Sequence, residues 1–138
     1  MLIDFYSYNA DRIMATSVKS CTGMTQLEQV VPITDLPEGY HGKILLVSVR
    51  HGEQELVILR SGDLWHREIL RNTQTEIKSL GFTTASVQEL GGAYLAFNDD
   101  GTILIEGGSE EFGSCDQDYV ASLVQAQWPD RKVMVSGR

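Results

Sequence analysis

KILLVSVRHGEQELVILR, residues 43–60, decides the fold. It holds two short apolar runs rich in β-branched residues, KILLVSV (43–49) and ELVILR (55–60), on either side of the polar, glycine-bearing RHGEQ. Runs of this length around a turn signal read as two antiparallel strands joined in a hairpin. After them the period changes. Leu64, Ile69, Leu70, Thr73, Ile77 and Leu80 fall at three- and four-residue spacings, which predicts an amphipathic helix over 63–80. Ser61 or Asp63 is placed to cap its start, and Gly81 follows its end as a C′ residue does.

Further along, TTASVQEL (83–90) and YLAFN (94–98) are strand candidates flanking Gly91-Gly92. Asn98-Asp99-Asp100-Gly101 is a turn, and TILIEG (102–107) is the next strand. A second helix is expected over about 116–127, with Ser114 as N-cap and Gln117 completing a capping box. Pro129 stops it, and KVMVS (132–136) is a last strand. Upstream, Pro32 and Pro37 make EQVVPITDLPEGYHG an extended piece followed by turns. LIDFYSY, near the start, reads as a short strand or an ordered arm. Strands broken by two helices predict one α+β domain (α/β in the broad sense) with a mixed or mostly antiparallel sheet of about six strands. That domain covers 29–138, behind an N-terminal extension of residues 1–28.

Composition narrows the function classes. The 138 residues are 42% hydrophobic and 22% charged, enough apolar content for one core. Eleven basic against nineteen acidic residues give a net charge of −8, which repels nucleic acid and anionic membranes. An anionic substrate then needs local positive groups. No apolar run approaches the roughly 20 residues of a membrane span, and MLIDFYSYNADR does not resemble a signal peptide, so the cytoplasm is the expected compartment. Cys21 and Cys115 lack zinc-type spacing and point to reduced thiols rather than a disulfide framework.

Four features could carry chemistry. His66 sits in the first turn of the predicted helix, where the dipole favours a neutral ring with a lone pair; equally, it could pack beside Trp65 or face solvent. GGSEEFGS (107–114) is a glycine-rich strand-to-helix loop, able to form an anion-binding nest or to be a plain tight connection. Lys43 and Arg60 stand at ends of the two hairpin strands that lie side by side, either gripping an oxyanion together or solvated separately. Cys115 precedes a helix, but nearby acids oppose a thiolate. No HExxH, CxxC or GxSxG motif is present.

In order and spacing, KILLVSV, ELVILRSG, LWHREI, LGFTTASVQELGGAYLAF, GTILIEGGSEEFG and VQAQWPDRKV together resemble the Janus/Ocnus family, whose best-known members are protein phosphohistidine phosphatases. The resemblance covers about residues 29–136. It implies a small fold of about six strands and two helices, and no metal or other cofactor. It also implies hydrolysis of the N–P bond of a phosphohistidine-bearing protein or a small phosphoramidate. By motif, the catalytic histidine falls on His66, as general base or as nucleophile. The substrate-binding lysine and arginine fall on Lys43 and Arg60. The phosphate loop falls on Gly108–Gly113, with Ser109 and the N–H groups around Glu110 and Glu111 as donors. The sequence departs from the family at Ala93-Tyr94, where a glycine and an arginine usually stand, at the acidic pair Glu110-Glu111, and at Gln117. These departures motivate a second reading, a catalytically silent member that binds a protein or small ligand. A third has residues 1–28 as the interface of a structural domain.

Overall fold

A computed structural model of the chain describes residues 26–62 and 64–136, and at its centre is the hairpin expected over 43–60. Strand β1 (His41–His51) pairs antiparallel with β2 (Gln54–Ser61), Leu45 opposite Arg60 and His51 opposite Gln54. The segment Ile44–Val49 is buried along its whole length, as a run without alternation predicts for a strand covered on both faces. Side chains of Leu45, Val47 and Val49 join Ile69 and Ile77 of helix α2 (His66–Ser79) on one face. Ile44 and Leu46 join Val120 and Val124 of helix α3 (Gln117–Gln127) on the other. Each fully buried Ile or Leu stabilises the fold by about 1.5–3 kcal/mol, so these two seams hold both helices to the sheet.

The remaining elements are a four-residue helix α1 (Leu27–Val30), strand β3 (Ser86–Phe97), strand β4 (Ile103–Glu106) and strand β5 (Val133–Val135). The sheet order is β2-β1-β3-β4-β5, antiparallel except for the β4–β5 pair, which is parallel and connected through α3. The α+β class and mixed sheet agree with expectation. Among the described residues there are five strands rather than about six, and three helices rather than two. The strand or arm expected over LIDFYSY lies outside the described residues. None of the described helices is long and apolar enough to cross a membrane.

Three local expectations are corrected. The two strands proposed around Gly91-Gly92 are one strand, β3, with a bulge. Between the pairs Leu45–Gly92 and Val47–Glu89, one residue of β1 (Leu46) stands opposite two of β3 (Leu90 and Gly91), and Gly91 takes a φ of 103° there. Helix α2 starts at His66 rather than at 63. Its N-cap position is Trp65, which makes no side-chain cap, because Ser61 is still in β2 and sends its hydroxyl to the Asp35 carbonyl at 3.0 Å. Asp63 lies outside the described residues. The cap of α3 is Asp116, accepting from the Tyr119 N–H at 3.1 Å, and not Ser114. Ser114 is drawn into a bridge with Gly92, and Gln117 donates to the Gly107 carbonyl at 2.6 Å.

Candidate functional site

On the α2 face, successive rows of side chains cross the sheet. One row holds Arg60 on β2, Leu45 on β1 and Gly92 on β3. The next, about 7 Å along the strands, holds Lys43, Tyr94 and Glu106 on β1, β3 and β4. Helix α2 begins above the first row and leaves the second uncovered.

His66 is the first residue of α2 and only 4% exposed. Its ring lies directly on Gly92: a Cβ there would come within 2.5 Å of ring atoms Cδ2 and Nε2, and 3.1 Å from the Ile44 carbonyl. Nε2 is 3.2 Å from the Ala93 carbonyl oxygen. A carbonyl only accepts, so this contact assigns the proton to Nε2 and the lone pair to Nδ1. Nδ1 of His66 has no hydrogen-bond partner among the described residues. The first-turn position therefore does not turn the ring out to solvent but seats it on Gly92. It anchors one nitrogen and leaves the other without a partner among the described residues.

The start of α2 adds donors that the sequence reading missed. With Trp65 unable to cap, the N–H groups of His66 and Arg67 have no acceptor among the described residues, and they carry the positive end of the helix dipole. The signal was there to read: no Ser, Thr, Asp or Asn occupies the position before His66.

Lys43 and Arg60 take different roles. Among the described residues no carboxylate pairs with Lys43, whose Nζ lies 5.5 Å from the centre of the Tyr94 ring. Arg60 is 3% exposed and committed. Its Nε and Nη2 donate to Glu76 of α2 at 2.8 and 2.9 Å, Nη1 to the Leu59 carbonyl at 2.8 Å, and Nη2 again to the Pro32 carbonyl at 2.8 Å. The two cations share a face but do not converge, because Arg60 is directed under the helix toward Glu76.

The glycine-rich loop reaches the site through Gly92, whose N–H donates to the Gly113 carbonyl at 3.0 Å. Ser109 and Gly113 close the loop with two backbone bonds of 3.1 and 2.8 Å. The N–H groups of Glu111 and Phe112 both point to one oxygen, the Ser109 hydroxyl, at 3.2 and 3.1 Å. The loop thus forms a small nest that its own serine occupies, leaving the hydroxyl hydrogen to donate outward. A Cβ on Gly108 would meet the Ser114 hydroxyl at 2.4 Å, so that glycine permits the tight return. Glu110 is exposed, and Glu111 reaches Arg67 at 3.2 Å, joining loop and helix start. Cys115, an unbridged thiol, is buried beside the loop, and burial pushes it up to about 11, so it is protonated and unreactive at neutral pH. Among the described residues no group of three His, Cys, Asp or Glu side chains is placed to hold a metal ion.

The structure thus gathers His66, Lys43, Tyr94, the first N–H groups of α2 and the loop 108–113 at one end of the sheet face, with Arg60 behind them. Residues 28–132 match the model of the Janus/Ocnus family. No curated protein matches the chain.

Proposed function

The chain belongs to the Janus/Ocnus family, and from that premise we propose that it is a metal-independent phosphohydrolase that cleaves the N–P bond of phosphohistidine or a similar phosphoramidate. The observation that carries this reading is the seating of His66 on Gly92, with Nε2 anchored on the Ala93 carbonyl and Nδ1 free to act. Nδ1 either takes a proton from an attacking water or attacks phosphorus itself, and the N–P bond breaks as the new bond to phosphorus forms. On the first route the leaving nitrogen takes up the proton that Nδ1 removed from water; on the second it takes a proton from solvent, and a water molecule then cleaves the phosphoryl group from His66 to release phosphate. Because the N–P bond is labile, most of the work is orientation and charge stabilisation. Lys43 and the N–H groups at the start of α2 that have no acceptor among the described residues supply the positive field for the phosphoryl oxygens. The Ser109 hydroxyl is a further donor. Arg60 supports the site from behind.

Phosphate release from a phosphohistidine peptide or phosphoramidate by wild type and by His66→Ala tests the proposal. Loss of a base or nucleophile is expected to cut the rate about 100-fold or more. Equal rates, or no release by either protein, would sink it.

One observation favours the alternative, a silent member that binds a partner or another ligand. The Ser109 hydroxyl fills the nest of the loop, and Glu111 neutralises Arg67 at the helix start. Thermal-shift titration with phosphate and phosphoramidate separates the two readings, since a ligand bound to the native state must raise its stability. A folded protein that neither compound stabilises supports the silent member.

A further inference from the structure

We propose that Tyr94 is a specificity-determining residue, the platform for a planar nitrogen ring on the leaving group. The inference rests on the phosphohydrolase reading above and adds the kind of substrate that the site prefers. Tyr94 stands in the middle of β3, between Ala93 and Leu95, both fully buried, yet it is itself 47% exposed. Its position explains this. It occupies the row just beyond the start of α2, so none of the described helices covers it, while Gly92 on the same face lies beneath His66. Ala96 follows on that face with only a methyl group, opposite His41 of β1.

The neighbours of the ring give it polarity. Lys43 lies opposite on β1 with its ammonium over one face of the ring, 5.5 Å from its centre, and Glu106 lies opposite on β4, exposed. A dianionic phosphoryl group is drawn to the Lys43 side, next to His66, and repelled from the Glu106 side. The rest of the substrate must then extend across Tyr94 toward Glu106. A ring of the imidazole type offers a flat face that stacks on the face of the tyrosine that Lys43 does not cover, and any positive charge it carries is favoured by Glu106. A phosphoryl donor without a ring leaves that surface wet.

The test compares N-phosphoimidazole, which carries the ring, with phosphoramidate, which does not. It uses wild type, Tyr94→Phe and Tyr94→Ala, measuring both turnover and binding by thermal shift. Tyr94→Ala is expected to lower the ratio of kcat/KM for the ring compound over the ringless one by about fivefold to tenfold. Tyr94→Phe is expected to keep that ratio, because the ring and not the hydroxyl carries it. If Tyr94→Ala changes both compounds by one factor, or Tyr94→Phe loses as much as Tyr94→Ala, the platform is wrong while hydrolysis stands. If neither compound is turned over, yet wild type binds the ring compound more tightly and Tyr94→Ala abolishes the difference, hydrolysis fails and the platform stands. Failure of wild type to bind either compound overturns both.

Discussion

The two ends of helix α2 handle charge in opposite ways. In its second half Glu76 reaches down to Arg60, and the guanidinium is enclosed by a carboxylate and two carbonyls. At its start, on the same sheet face, the second nitrogen of His66, the Lys43 ammonium and the first N–H groups have no hydrogen-bond or ion-pair partner among the described residues, and Lys43 lies over an aromatic ring. In sequence Lys43 and Arg60 look alike, as basic residues at the ends of two neighbouring strands. What separates them is completeness. A buried charge with its partners satisfied is structure, and a charge or donor left unsatisfied at the surface is available for a ligand.

Three experiments break or sharpen that contrast. The largest effect is expected at the closed end. Glu76→Ala leaves the Arg60 guanidinium buried without its carboxylate and is expected to destabilise the protein by about 3 kcal/mol in denaturant unfolding. Replacing both partners by Met should recover much of the loss. A small effect of the single change would mean that Arg60 is free to serve a ligand after all. At the open end, Gly92→Ala puts a methyl group into the His66 ring, at an expected cost of about 1–3 kcal/mol. Phosphate release should fall far more than the modest stability loss explains, since the ring must leave the Ala93 carbonyl. Unchanged turnover by a folded Gly92→Ala protein would show that the seat of the ring is irrelevant. The smallest change concerns the Arg67–Glu111 pair, exposed enough that Glu111→Gln should alter stability by at most about 0.5 kcal/mol. With the counter-charge gone, inorganic phosphate should raise the Tm of Glu111→Gln more than that of wild type at low salt, and the gap should close at high salt. A gap that persists in salt would place the effect elsewhere.

What the sequence made legible follows the reach of its signals. The hairpin over 43–60, the apolar face of α2 at Ile69, Thr73 and Ile77 and the turn at 98–101 depend on neighbours a few residues away, and periodicity reports those directly. Leu64 and Leu80, counted on that face, instead flank the helix and are exposed. The cap of α3 does not depend on near neighbours alone. Ser114 has the right chemistry for an N-cap, but its bridge to Gly92, far off in the chain, takes it out of position and passes the role to Asp116. The unity of β3 was hidden for a related reason, since Gly91-Gly92 reads as a turn until β1 and the ring of His66 lie against it. At the site, the sequence and the family resemblance marked His66, Lys43 and the loop. They could not see that Glu76, sixteen residues after Arg60, would close over it once α2 crossed the sheet. Tyr94 drew notice only as a missing arginine. Its meaning depends on Lys43 and Glu106, which arrive from the strands on either side.

The grip of Arg60 has a further effect on how the molecule opens. One guanidinium touches the Pro32 carbonyl ahead of the first strand, its own strand β2, and Glu76 late in α2. The segment after Pro32 is also bonded to β2, through Leu59 and residues 33 and 35. Peeling away any of the three exposes the others' polar groups, so they behave as one cooperative unit. Amide exchange in residues 33–35, in β2 and in the second half of α2 should therefore share a single opening free energy, while the loop at 108–113 exchanges on its own.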